Sequence, residues 1–108
     1  MSPDSDLSNP VAVLIEWHAP SLTPEAARDL AEATTAAFRR VPGLLDIRFF
    51  GDFATGTHYY LQTWVSHEAH EAYMASPEMV GIRALAMPYV EGRVSRRIMD
   101  DYSATRRP

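Results

Sequence analysis

The sequence predicts a single α+β domain in which one antiparallel sheet is covered on one face by helices, and three observations predict it. A continuous run of β-branched, aliphatic and aromatic residues, VAVLIEWH, occupies Val11–His18. Hydroxyl-then-proline pairs at Thr23-Pro24 and Ser76-Pro77 mark two helix starts. Two further extended runs, Leu44–Phe50 and His58–Val65, follow each other across a glycine-bearing turn, as the arms of a hairpin do.

The first run is apolar on both of its faces, with Val11, Val13, Ile15 and Trp17 on one side and Ala12 and Leu14 on the other, which is the pattern of a central strand. After the cap at Thr23, Ala27, Leu30, Ala31, Thr34, Phe38 and Val41 recur at helical spacing, and Arg39 and Arg40 suit the negative helix end. Pro42-Gly43 terminates that helix. In the hairpin, Leu45, Ile47 and Phe49 alternate with Asp46, Arg48 and Phe50. Ser66 caps a short helix with Glu68 in its first turn, and Ser76 restarts a second helix carrying Met79, Val80, Ile82, Leu85 and Ala86, so a kink is expected between them. Pro88 ends the helical stretch, and Val90–Asp101 returns to alternation as the last strand. The order strand, helix, strand, strand, helix, strand is that of ferredoxin-like domains, with the first and third strands central. Helices can cover only one sheet face, so the other, still apolar, requires a second copy packed against it to close a dimeric barrel.

The domain is expected to span 11–101, with 1–10 and 102–108 as flexible termini. At 108 residues and 46% hydrophobic, the chain is of one-domain size with enough apolar residues for a core. Cysteine is absent, which excludes disulfides, thiolate metal sites and cysteine nucleophiles. The net charge of −4 is built with arginine and no lysine, and the arginines are dispersed. That excludes the basic stripe needed to follow a nucleic-acid backbone. No apolar run of about 18 residues exists to span a membrane, and Met1–Pro10 is acidic and polar, so a cytoplasmic location is expected.

Trp64, Ser66, Glu68, Ala69, Ala72, Tyr73, Ser76 and Pro77, read as W-x-S-x-E-A-x-x-A-Y-x-x-S-P, resemble the third-strand-to-helix signature of the antibiotic biosynthesis monooxygenase domain family, as does Pro42-Gly43. The resemblance implies a dimeric α+β barrel. It also implies one of the family's roles, which include cofactor-independent oxygenation of aromatic polyketides and heme degradation. Members that oxidise polyketide phenols have a tryptophan where Trp64 stands. Where they have an asparagine, a tyrosine and an arginine, this chain has Tyr60, His70 and Ala84, with Arg83 beside the last; many members have a histidine where Tyr73 stands.

On the third strand His58, Tyr60, Gln62 and Trp64 share one face by the period-two rule. If Trp64 faces the helices, as the resemblance implies, that row lines the space between sheet and helices. Such a row carries more hydrogen-bonding groups than a plain core accommodates, so a ligand pocket is one reading. The other places His58 and Tyr60 at the strand's mouth, in water. His70 shares a helical face with Tyr73 and is the best candidate base near neutral pH, or else a functionless half-exposed histidine. Arg83 sits among Met79, Ile82 and Met87, where its guanidinium meets either an anionic ligand or a carboxylate, Glu78 or another. His67 and His70 in H-E-A-H-E lack the zinc-signature spacing and a third ligand, so no metal is expected and this acidic stretch reads as a solvated helix face.

These residues support a cofactor-free enzyme in which Trp64, His70 and Arg83 are catalytic and His58, Tyr60, Gln62 and Tyr73 bind substrate. The substrate is an aromatic polyketide or similar phenol, oxidised by oxygen, or cyclised by the same base and anion-holding groups. A non-catalytic dimer that binds aromatic small molecules is equally compatible with the fold.

Overall fold

The computed structural model describes residues 10–105. The expected termini therefore fall largely outside the described residues, apart from a 3-10 turn at Tyr102–Thr105. Strand β1 (Val11–His18) leads through Thr23 into helix α1 (Pro24–Phe38). Then come β2 (Leu44–Asp52), β3 (Thr57–Trp64), α2 (His67–Met74), α3 (Pro77–Ala86), a 3-10 turn at Met87–Tyr89 and β4 (Ser95–Asp100). The four strands form one antiparallel sheet in the order β2-β3-β1-β4, the ferredoxin-like arrangement with the first and third strands central. No helix among the described residues is long and apolar enough to cross a membrane.

Each helix starts where a hydroxyl satisfies a free backbone N–H. Thr23 Oγ1 accepts from Ala26 N at 3.1 Å, Ser66 Oγ from Ala69 N at 3.1 Å, and Ser76 Oγ from Met79 N at 3.4 Å. Ser76 also donates its hydroxyl to the carbonyl of Tyr73 at 2.6 Å, which fastens the kink between α2 and α3. Gly43, at φ +92°, turns the chain out of α1 into β2; a Cβ there would lie 2.6 Å from the Cβ of Ala69. In the β2–β3 turn Asp52 Oδ1 accepts from the backbone of Ala54 and Thr55.

The helices lie over the face that carries Val11, Val13, Ile15 and Trp17, all buried, and Phe38, Trp64, Tyr73 and Ile82 complete the core. Two details depart from the sequence pattern. Leu45 falls in a register shift between Leu44 and Asp46, which puts an extra residue in β2 and leaves that leucine exposed. The last strand starts at Ser95 rather than Val90, because Glu91 N donates to the carbonyl of His18 and Gly92 adopts φ +79°. The intervening residues are thereby spent on a loop, although their alternation reads as extended chain.

On the uncovered face, Arg48, Leu61, Leu14 and Arg97 stand in one row across the sheet, the two leucines half-buried and the arginines exposed. Phe50 and Met99 are exposed on the same face.

Candidate functional site

The sheet register sorts the helix-facing side chains into rows. Gly51, His58 and Trp17 form one; Phe49, Tyr60, Ile15 and Arg96 the next; Ile47, Gln62, Val13 and Ile98 the third. Trp64 stands beside Val11, which also pairs with Asp100. His58, Tyr60, Gln62 and Trp64 therefore do share the helix-facing side, as their spacing requires. His58, Gln62 and Trp64 are buried, and Tyr60 is half-buried.

Trp64 is the most enclosed of them. Its indole N–H donates to Gln62 Oε1 at 3.0 Å, and its ring stacks on Tyr73 at 5.2 Å and meets His70 edge-on at 5.6 Å. Phe38 closes the cluster from α1, 5.1 Å from Tyr73. Gln62 Nε2 has no partner among the described residues, nor have Trp17 Nε1 and His58 Nε2, although all three atoms are buried. Such groups are costly unless water or a ligand meets them.

His70 lies 3.3 Å, Nε2 to Nη1, from Arg96 on β4. Burial first, and then the charge of Arg96, lowers its pKa. Burial likewise lowers that of His58. The phenols of Tyr60 and Tyr73 are pushed up by burial, Tyr73 to about 12. His67, expected on a solvated helix face, reaches Asp100 Oδ1 at 2.9 Å. Helix α2 is thus stitched to the edge strand by His67 on Asp100 and His70 on Arg96. No cluster of three metal-ligating side chains occurs among the described residues.

Two adjoining cavities lie where α1 and α3 cover the sheet. The larger, about 280 Å³, is walled by Trp17, Leu30, Phe49, Phe53, His58 and Gly51 among others. The smaller, about 50 Å³, is walled by Ile15, Tyr60, Ile82, Arg83 and Met87 and shares Trp17, Leu30 and Phe49 with the first. Phe49 and Tyr60 stack at 5.5 Å on this wall. His58 packs between Trp17 and Phe53 at ring distances of 5.2 and 5.0 Å.

The residues selected from sequence therefore fall into two groups. Trp64, Gln62, His70 and Tyr73 meet in one aromatic cluster. Tyr60 and Arg83 line the smaller cavity, and His58 the larger. Arg83 forms no ion pair with Glu78, the neutralising partner considered for it. Trp17 and Arg96 were not singled out. The alternation of each strand carried a signal for both, but which residues stand beside Tyr60 and His58 depends on the sheet register, which one sequence does not display.

No protein-family model matches the chain, and no curated protein is similar to it in sequence at a significant level. Solved structures are similar in fold. SnoaB, a cofactor-independent oxygenase from Streptomyces nogalater, aligns at TM-score 0.70 and 14% identity over 85% of this chain and 92% of its own. A structure named antibiotic biosynthesis monooxygenase aligns at TM-score 0.64 and 18% identity, over 83% of this chain and 96% of that one. Rv0793 from Mycobacterium tuberculosis aligns at TM-score 0.65 and 21% identity, over 83% and 92%. The chain has the fold of the antibiotic biosynthesis monooxygenases.

Proposed function

We propose that the protein is a cofactor-independent monooxygenase-type enzyme that acts, as a cytoplasmic homodimer, on an aromatic polyketide or similar phenolic small molecule. The observation that carries the reading is the excess of unpartnered polar atoms around an aromatic-walled cavity. His58 and Trp17 line the larger cavity with Nε2 and Nε1 buried and unpartnered, and Gln62 Nε2, also unpartnered, lies in the adjoining Trp64 cluster. A plain core does not keep such groups. SnoaB, which shares the fold, is named a cofactor-independent oxygenase, and it is by this fold analogy that the reading turns to oxygen chemistry.

In this reading a phenol of the bound ring gives its proton to His70, whose contact with Arg96 opens to receive it, and the electron-rich anion reduces oxygen directly. For an anthrone-like substrate the balance is a ring CH₂ plus O₂ giving a ring carbonyl plus water. The substrate supplies the electrons. Trp64, His70 and Arg83 are the proposed catalytic groups, and His58, Tyr60, Gln62 and Tyr73 the proposed substrate-binding ones. The protein contributes position and electrostatics.

The test is oxygen uptake and quinone absorbance with a reduced polyhydroxylated anthrone and metal-stripped protein, measured against the uncatalysed rate in buffer. Acceleration by the wild type that is lost in a Trp64→Phe, His70→Ala double variant is the expected result. No acceleration by folded protein removes the oxygenase on this substrate class.

One observation favours a second reading, a non-catalytic small-molecule-binding module, over both the oxygenase and the cyclase that would use the same groups. Arg83 lines a cavity whose wall includes neither Trp64 nor His70, so the three groups do not converge as a shared catalytic centre would have them. Binding of an anthrone without oxygen uptake or ring closure would decide for the module.

A further inference from the structure

The structure gathers positive charge beside the smaller cavity without supplying an anion for it. Phe49, Tyr60, Ile15 and Arg96 stand side by side across the sheet on its helix-facing side. Arg96 is thus two strand spacings, roughly 10 Å at the backbone, from Tyr60, with the cavity-lining Ile15 between them. Arg83 enters the same cavity from α3. Among the described residues neither arginine forms an ion pair with a carboxylate.

Arg96 is half-buried, and its one hydrogen bond among the described residues goes to the uncharged ring nitrogen of His70. The ionisable oxygens whose charge would bear on it belong to Tyr60 and Tyr73, and burial keeps both phenols protonated. A protonated phenol is neutral and supplies no counter-charge. A guanidinium half-withdrawn from water without an anion gains little for folding alone, and it fits a site completed by its ligand.

We propose that Arg96, positioned by His70 and supported by Arg83, anchors an ionised oxygen of the ligand, so that the site selects planar aromatic anions, phenolates or carboxylates, over neutral aromatics. This deepens the functional reading above and rests on the same cavity being the ligand site. The ring takes the larger cavity, which shares Trp17 and Phe49 with the smaller one, and turns its charged edge toward Arg83 on the smaller cavity's wall and toward Arg96, which stands one strand beyond the Ile15 of that wall.

The experiment compares two probes of equal shape, 2-naphthoate and 2-naphthamide, by titration calorimetry. Wild type should bind the naphthoate at least about tenfold more tightly than the amide, as a hydrogen-bonded charge requires. Arg96→Gln should abolish that preference by weakening the naphthoate alone, Arg96→Lys should keep part of it, and Arg83→Gln should lose less. Retained amide binding reports that each variant is folded. A nitronaphthol whose colour shows its ionisation separates the two sources: bound in its ionised form and lost with Arg96, it assigns a phenolate site, whereas a naphthoate preference alone assigns a carboxylate site.

A wild type that does not prefer the naphthoate, or a preference that survives Arg96→Gln, overturns the proposal. If Arg96→Gln fails to fold, the guanidinium resonances of ¹⁵N-arginine wild type decide. The Arg96 signal moves with naphthoate and not with naphthamide, or the proposal falls. These readouts do not depend on turnover. A preference lost with Arg96 in a protein that consumes no oxygen keeps the anion site and removes the oxygenase. Oxygen uptake with an unchanged KM in Arg96→Gln does the reverse.

Discussion

Arg96 Nη1 stands 3.3 Å from His70 Nε2, and because a guanidinium only donates, that histidine nitrogen accepts. His70 is therefore the neutral tautomer with its proton on Nδ1, and the lone pair a general base would use is held by Arg96. The expected role of His70 as a free base is narrowed to that of a positioning residue whenever this contact is closed.

The pH dependence of stability follows from this pair and from His58. Both histidines have their pKa lowered from 6.5, chiefly by burial. The unfolded chain then binds more protons than the folded one just below pH 6.5, so stability rises with pH in that window. Their contribution is complete above the unfolded value and is lost as pH falls through the folded ones. Urea midpoints measured from about pH 5 to 7.5 should fall on acidification, and a His58→Asn, His70→Gln double variant should flatten the slope. An equally steep slope in the double variant would place the titration elsewhere.

The Trp64–Gln62 hydrogen bond is buried, and Gln62 Nε2 is already unpartnered. Trp64→Phe leaves Gln62 Oε1 unmet as well, and Gln62→Leu leaves the indole N–H unmet. Each is expected to cost about 1–3 kcal/mol from the orphaned group alone. The Trp64→Phe, Gln62→Leu double variant should cost clearly less than the sum of the two, as read from denaturant unfolding of all four proteins. Additive costs would show that the bond contributes nothing of its own.

Gly43 and Gly92 both adopt positive φ, at +92° and +79°, but their surroundings differ. A Cβ at Gly92 meets nothing within 4 Å, whereas one at Gly43 meets Ala69 Cβ at 2.6 Å. Gly92→Ala should cost the left-handed backbone alone, about 1–2 kcal/mol. Gly43→Ala adds a clash between the start of β2 and α2, worth roughly another 1–3 kcal/mol. Thermal midpoints of the two variants should separate in that order, and equal midpoints would mean that α2 yields freely.

The uncovered sheet face tests the proposed dimer. Leu14 and Leu61 sit side by side on it between Arg48 and Arg97. Leu61→Arg adds a third cation to that row and should shift the protein from dimer to monomer in light scattering, with the helix-side core untouched. A wild type already monomeric at micromolar concentration would end the barrel model of assembly.

Most of the architecture was legible in the sequence because it rests on local chemistry. Thr23, Ser66 and Ser76 cap the three helices they announce, and Val11–His18 is the buried central strand its apolar run describes. The start of β4 was not legible, because Val90 and Val94 alternate like strand residues while a backbone bond to His18 and a left-handed glycine decide otherwise. The row His58, Tyr60, Gln62, Trp64 was readable from period two alone. Its neighbours Trp17 and Arg96 were not, because cross-strand register is a relation between distant segments. For the same reason His67 and His70 looked like a solvated face, since their partners Asp100 and Arg96 lie some thirty residues away.

The two histidine stitches between α2 and the edge strand are not equivalent, because only one of them sets a histidine against a cation. Protonating His70 removes the acceptor that Arg96 leans on and sets two cations against each other. Acidification therefore unfastens β4 from α2 at Arg96, and the helix and the strand that frame the aromatic cluster are coupled through a single proton on His70.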